Sequence, residues 1–275
     1  MLLECAGKPL DLTHPVVMGV LNLTPDSFSD GGKFLSRQAA LDRAHAMVEQ
    51  GAAIVDLGGE STRPGAAPVT VAEELERVLP VVEALAAELP VPVSIDTSKP
   101  EVMRATVAAG AGLINDVLAL RTEGALSAAS ESGVPVCLMH MQGEPRTMQM
   151  QPAYSDVVVE VNRFLAERVA ACEAAGIPRH RLLVDPGFGF GKDLHHNLAL
   201  LRHLDRLAEL GLPVLVGISR KSMLGALTAR AVEHRLAGSL AAAVLAVVKG
   251  ASIVRAHDVA DTVDALKVAS AVLGT

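Results

Sequence analysis

The segment DPGFGFGK, Asp185 to Lys192, sets a carboxylate directly behind the apolar run Leu182-Leu183-Val184 and follows it with Gly187, Gly189 and Gly191 interleaved with Phe188 and Phe190. A buried strand would deliver such an acid to a site. Glycine lets a backbone turn tightly and approach a ligand closely. Aromatic residues make up only 2% of the chain, so two phenylalanines in one loop are expected to cover something flat.

Asp96 and Asn115 also follow short apolar runs. A carboxylate accepts two parallel N–H bonds from a planar group with adjacent donors, so Asp96, Asn115 and Asp185 suit a flat, donor-rich ring. Ser219-Arg220-Lys221-Ser222 opens a predicted helix, where backbone N–H groups and two cationic side chains would converge on an anion. Arg255 and His257 flank Ala256 on one side of an extended segment, which suits a phosphate or diphosphate; a salt bridge to Asp96 or Asp258 is the alternative for either. The inferred ligand is flat and donor-rich at one end and anionic at the other.

The elements that must position these groups alternate. Short runs of Val, Ile and Leu predict strands at Val16 to Val20, Ala53 to Leu57, Val93 to Ile95, Leu113 to Ile114, Val136 to Met139, Leu182 to Val184, Val214 to Gly217 and Ile253 to Val254. Helices are predicted after each: Ser36 to Gln50, Val71 to Leu89, Pro100 to Ala109, Gly124 to Ser132, Ser155 to Ala175, Leu194 to Leu210, a long region from Lys221 to Lys249, and Ala260 to Leu273. Strand-then-helix alternation in one chain of 275 residues predicts a single α/β domain, 1–275, folded as a (β/α)8 TIM barrel. An open doubly wound sheet is the alternative, but no G-x-G-x-x-G follows the first strand.

A barrel of this kind carries its chemistry at the C-terminal ends of the strands, where Asn22, Asp96, Asn115, His140, Asp185, Lys221, Arg255 and His257 are gathered. A lone Asp behind a strand can equally be a helix cap or a turn former. Asp116 is expected to be structural, because Asn115 takes the outward position, and Asp56 is expected to face the barrel wall or a neighbouring loop. Two rim loops are long for their type, Asn22 to Phe34 (NLTPDSFSDGGKF) and Gly58 to Val69 (GGESTRPGAAPV), as catalytic lids often are. His195-His196 looks like a metal pair but is expected to be solvated surface.

A formal net charge of -7 with so few aromatics argues against nucleic acid. Cys5, Cys137 and Cys172 form neither a disulfide framework nor a zinc motif, which fits a reducing cytoplasm. The N-terminal segment lacks a signal peptide pattern, and the apolar stretch Leu236 to Val248 is too short to span a bilayer. No membrane partner is expected.

Eight segments together resemble the dihydropteroate synthase family: MGVLNLTPDSFSDGG (Met18 to Gly32), DLGGESTRPGA (Asp56 to Ala66), SIDTSKPEV (Ser94 to Val102), IND (Ile114 to Asp116), CLMHMQGEPRTMQ (Cys137 to Gln149), DPGFGFGK (Asp185 to Lys192), GISRKSMLG (Gly217 to Gly225) and RAHDV (Arg255 to Val259). The resemblance implies a pterin-binding barrel that joins 4-aminobenzoate to (7,8-dihydropterin-6-yl)methyl diphosphate, with diphosphate released and Mg²⁺ as cofactor. It implies that Asp96, Asn115, Asp185 and Lys221 hold the pterin, and that Asn22, Arg63, Arg255 and His257 bind the diphosphate, with Asn22 on the metal. Phe28, Thr62, Arg63, Pro64, Phe190, Lys221 and Ser222 are implied for the aminobenzoate, and Asp30, Arg63, Lys221, Arg255 and His257 as the catalytic set. Within that resemblance Phe190 contacts the aminobenzoate ring, Phe188 is packing, and a homodimer forms through the last helices. The rivals are a catalytically silent pterin-binding paralogue and a pterin-dependent corrinoid methyltransferase.

Overall fold

A computed structural model describes residues 1–23, 33–61, 66–143 and 147–274. The strands are β1 (Leu2–Cys5), β2 (Lys8–Asp11), β3 (Val16–Asn22), β4 (Ile54–Gly58), β5 (Val93–Asp96), β6 (Leu113–Asp116), β7 (Val136–Met139), β8 (Leu182–Asp185), β9 (Val214–Val216) and β10 (Ala251–Ala256). The helices are α1 (Lys33–Glu49), α2 (Val71–Glu88), α3 (Pro100–Ala108), α4 (Ala125–Ser132), α5 (Val157–Ala174), α6 (Leu194–Arg202), α7 (Asp205–Ala208), α8 (Ser222–Thr228), α9 (Leu236–Val248) and α10 (Val259–Leu273).

The eight strands from β3 to β10 close into a barrel in chain order, every neighbouring pair parallel and β10 returning to β3. This is the (β/α)8 barrel that the alternation predicts. Two predicted helices are each broken in two. Leu194 to Leu210 is interrupted between α6 and α7, and Lys221 to Lys249 parts after Thr228, where Ala229 takes a left-handed φ of 53° that ends α8.

The barrel strands are flanked by buried residues on both sides, so their sequences carry no polar–apolar alternation. The interior nonetheless follows a two-residue step. Met18, Ile54, Leu113, Cys137, Leu183, Leu215 and Ile253 form one buried apolar floor across the barrel. The antiparallel hairpin β1–β2, which the sequence reading did not anticipate, lays Leu3, Cys5 and Leu10 against that floor. Its turn residues Ala6 and Gly7 have φ of 52° and 81°, the two left-handed positions of a type I′ turn. Gly112 gives the hairpin room, since a Cβ there would overlap the Cys5 carbonyl. Lys8 donates to the carbonyls of Ala86 and Leu89, satisfying the C-terminal end of α2. The N-terminal end of the barrel is thereby stoppered, and the opposite end is left for the site.

Among the described residues no helix is long and apolar enough to cross a membrane. α9 and α10 pack side by side and present Leu245, Val248, Val268 and Val272 outward, each more than half exposed.

Candidate active site

Two residues beyond the apolar floor, the same inward face turns polar. Ile54, Leu113, Leu183 and Ile253 are followed at that step by Asp56, Asn115, Asp185 and Arg255, and β5 contributes Ser94 and Asp96. The register places Asp56 beside Ser94 and Asp96 beside Asn115. A layer of charges and amides therefore lies across the barrel mouth.

Asp56 is the hub of that layer. It accepts hydrogen bonds from Ser94 Oγ at 2.6 Å, from Asn115 Nδ2 at 3.3 Å and from Arg255 Nε at 2.6 Å. The expectation that it faces the wall or a neighbouring loop is thus corrected: the two-residue step aims it inward. Arg255 also donates from Nη2 to Asp96 Oδ2 at 3.0 Å, which realises the salt-bridge alternative for this residue. Burial opposes the guanidinium charge, but Asp56 and Asp96 outweigh it and push the Arg255 pKa above its ordinary value. For Asp96 burial dominates over the attraction of Arg255 and raises its pKa to about 7. Burial also raises Asp185, against the pull of Lys221, the Gly187 N–H and Lys192.

Lys221 lies beside these acids. Its Nζ sits 4.5 Å from the centroid of the Phe190 ring and donates to the Phe188 carbonyl. Burial lowers its pKa to about 8, opposed by Asp185. His257 approaches Ser219 through both its backbone N–H, 3.3 Å, and its Nδ1, 3.0 Å from Ser219 Oγ. Ser222 is the exposed first residue of α8, and Asn22 ends β3 in register with Gly58.

Some expectations change. Arg220 does not join Lys221 at an anion site: its guanidinium makes a two-pronged ion pair with Asp258, Nε at 2.9 Å from Oδ2. Its backbone, at φ 58°, is anchored by the Ser239 hydroxyl and the Arg235 side chain. Asp116 is structural as expected, accepting from Ser98 Oγ and from the N–H groups of Leu118 and Leu120; it stands one position out of step with the inward face. His196 is no solvated partner of His195. It completes the N-cap of α6 with Asp193 and meets the Tyr154 ring edge-on at 4.8 Å. Phe188 is fully buried core, whereas Phe190 is half-buried at the mouth.

Phe28, Asp30, Thr62, Arg63 and Pro64 lie outside the described residues. The stem of the second loop is described. Glu60 Oε1 accepts the Val69 N–H at 3.0 Å, and its other oxygen pairs with Lys99, which also holds the buried Glu74. Sequence reasoning missed this stem, Ser94 and the buried Lys192; only Ser94 had a legible signal, two residues before Asp96 on the same strand face.

The chain matches the pterin binding enzyme family over residues 18–257. It is 56% identical over 273 residues to the dihydropteroate synthase of Escherichia coli (strain K12), covering 99% of this chain and 97% of that protein. The chain belongs to the dihydropteroate synthase family. Among solved structures of the family, Xanthomonas albilineans dihydropteroate synthase with 4-aminobenzoic acid superposes with a TM-score of 0.95 at 57% identity, covering 100% of this chain and 98% of that one. The same synthase in complex with 7,8-dihydropteroate gives a TM-score of 0.92 at 54% identity, with both chains covered in full.

Proposed function

We infer that this chain is a transferase that condenses 4-aminobenzoate with (7,8-dihydropterin-6-yl)methyl diphosphate to give 7,8-dihydropteroate and diphosphate. The observation that carries the reading is the polar layer of Asp96, Asn115, Asp185 and Lys221 in a barrel mouth, in a chain of this family matched along its whole length. Asp185, Asp96 and Asn115 read the donor edge of the pterin, with Lys221 beside them. His257, Arg255 and Arg63 face the diphosphate. Phe190, with Lys221 over its ring, walls the aminobenzoate together with Phe28, Thr62 and Pro64, and Ser222 stands near its carboxylate.

An aromatic amine is a weak nucleophile, so the carbon–oxygen bond to diphosphate breaks first. The pterin-methyl cation that remains is stabilised by Asp30 and Asp185 and is trapped by the amine, which then loses its proton. Cationic side chains aimed at the leaving group stabilise charge as it develops. Arg255 contributes in a second way, because its hydrogen bonds hold Asp96 and Asp56 in place. Mg²⁺ fits the donor set: Asn22 offers one hard amide oxygen, the described residues hold no cluster of three metal-ligating side chains, and this ion commonly completes its shell with water and phosphate oxygens. When bound it supplies Lewis-acid stabilisation to the departing diphosphate.

The whole of 1–275 works as one barrel domain in the cytoplasm, which suits three buried free thiols, and as a homodimer joined through the apolar faces of α9 and α10. Purified protein with Mg²⁺ and both substrates is expected to form dihydropteroate and one equivalent of diphosphate. Tight pterin binding without product would establish the silent-paralogue reading instead.

A further inference from the structure

Lys192 is among the largest fully buried side chains, 2% exposed, and among the described residues no carboxylate lies within ion-pair distance of it. Its Nζ is 2.9 Å from His140 Nδ1, 2.9 Å from the Gly187 carbonyl, 2.9 Å from the Phe190 carbonyl and 3.3 Å from the His140 carbonyl. All four partners are acceptors when His140 carries its proton on Nε2. An ammonium group has three hydrogens for the three shorter contacts. With the proton on His140 Nδ1 instead, the ring donates to the lone pair of a neutral amine, the form that burial favours by pushing the Lys192 pKa well below its ordinary value, and in both forms the Gly187 and Phe190 carbonyls are held. Burying a lysine this way is costly, and a satellite role in the core would be filled more cheaply by a methionine or leucine.

The position of Lys192 Nζ gives the reason. It occupies the inside of the turn that begins at Asp185 and ends at Lys192 itself, and it gathers the Gly187 and Phe190 carbonyls. Three more of its carbonyls are claimed by side chains, Phe188 by Lys221, Gly189 by Gln149 and Gly191 by Tyr154 Oη, the last at 2.8 Å. The turn presses on the neighbouring connection so closely that a Cβ on Gly187 would overlap the His140 carbonyl, and one on Gly191 the Gln142 carbonyl. The Gly187 N–H meanwhile donates to Asp185 Oδ1 at 2.7 Å. Gly187 thus carries on one side of its Cα the carbonyl that Lys192 holds and on the other the N–H that Asp185 accepts. Phe190 carries both a held carbonyl and the ring that Lys221 covers, so loosening either carbonyl frees the backbone next to Asp185's donor or the ring.

We propose that Lys192 is a positioning residue for both halves of the site: seated between the His140, Gly187 and Phe190 carbonyls, it fixes the turn that orients Asp185 toward one substrate and the Phe190 ring toward the other. Tyr154 is the outer clamp of the same turn and acts on the Phe190 end only. The proposal rests on the condensation described above, and its assay separates the two. It acts through other residues and touches neither substrate.

The test compares wild type with Lys192→Met and Tyr154→Phe. Circular dichroism and thermal melting report folding; calorimetry gives the Kd for 6-hydroxymethyl-7,8-dihydropterin, and steady-state kinetics the KM for 4-aminobenzoate. Folded Lys192→Met is expected to weaken both constants by about tenfold or more, as loss of a well-placed supporting group does. Tyr154→Phe is expected to raise the aminobenzoate KM by several-fold and to leave the pterin Kd unchanged, a split that general destabilisation would not produce. Folded Lys192→Met with both constants within about twofold of wild type overturns the proposal. If that variant does not fold, Tyr154→Phe decides it, and an unchanged aminobenzoate KM overturns it. Wild type that forms no dihydropteroate defeats the condensation reading, and the pterin Kd of Lys192→Met still decides the role of Lys192.

Discussion

Arg255 Nε meets Asp56 Oδ2 at 2.6 Å across 199 residues of sequence, and Asp56 is completely buried while doing so. The same guanidinium holds Asp96, so one cation organises two acids on adjacent strands. Removing one partner of such a group leaves an uncompensated buried charge, at a cost of about 3 kcal/mol or more. Arg255→Ala is therefore expected to lower the urea midpoint and to weaken free pterin as well as diphosphate-bearing ligands. The sequence alone pointed to a loss confined largely to the diphosphate. Calorimetry with free pterin distinguishes the two, and unchanged pterin affinity would show that the ion pair does not serve the pterin site.

The two titrating groups at the mouth predict a pH profile. Asp96, with a pKa of about 7, accepts two parallel N–H donors only when ionised, so pterin capture falls as the pH drops below that value. Lys221, at about 8, is cationic only below its pKa, so capture falls again as the pH rises. The kcat/KM for the pterin substrate is expected to be bell-shaped, reporting the free enzyme. Because the groups face one another through Asp185 and Arg255, the limbs belong to the coupled site. Lys221→Arg moves the basic limb upward; a basic limb that stays put assigns it to another group.

Much of this was legible in the sequence. The barrel followed from alternating runs and helices, and the catalytic rim from what stands behind each run. The inward step was harder to read: Ile54-Val55-Asp56-Leu57 is apolar on both faces, as strands buried on both sides are, so nothing local says that Asp56 shares the inner face with Ile54. Closure of the barrel decides it. Arg220 and Lys221 look alike in sequence, and only the backbone turn at Arg220 sends one to Asp258 and the other to Phe190. The hairpin escaped notice because four-residue strands containing Glu4, Lys8 and Pro9 carry little strand signal.

Gly187 combines a left-handed φ of 67° with a Cβ position already filled by the His140 carbonyl. Gly187→Ala thus meets backbone strain and a backbone overlap together, and the positive φ alone costs about 1–3 kcal/mol. The expected result is a lower urea midpoint with unchanged m-value and weakened pterin binding. Gly133→Ala, at φ 73° with nothing within 4 Å of the new Cβ, isolates the conformational cost and is expected to destabilise less. Equal losses for the two would remove the packing argument.

α9 is apolar on nearly every face: Ala242, Ala243, Ala246 and Val247 are buried against the barrel, while Leu245 and Val248 are about half exposed. α10 adds Val268 at 66% and Val272 at 81% exposure beside them. Large aliphatic side chains grouped this way on a chain that carries a net charge of -7 are the surface that the proposed homodimer would bury. A two-fold axis through this face would bring each patch against its own copy, as an isologous interface requires. Leu245→Glu with Val272→Glu places like charges across that axis from their symmetry mates. Sedimentation velocity is expected to find wild type at twice the chain mass of 28.6 kDa and the double variant at the chain mass, with condensation activity per chain retained because both positions lie far from the barrel mouth. A wild-type monomer would remove the homodimer, and a double variant that remains dimeric would move the interface elsewhere.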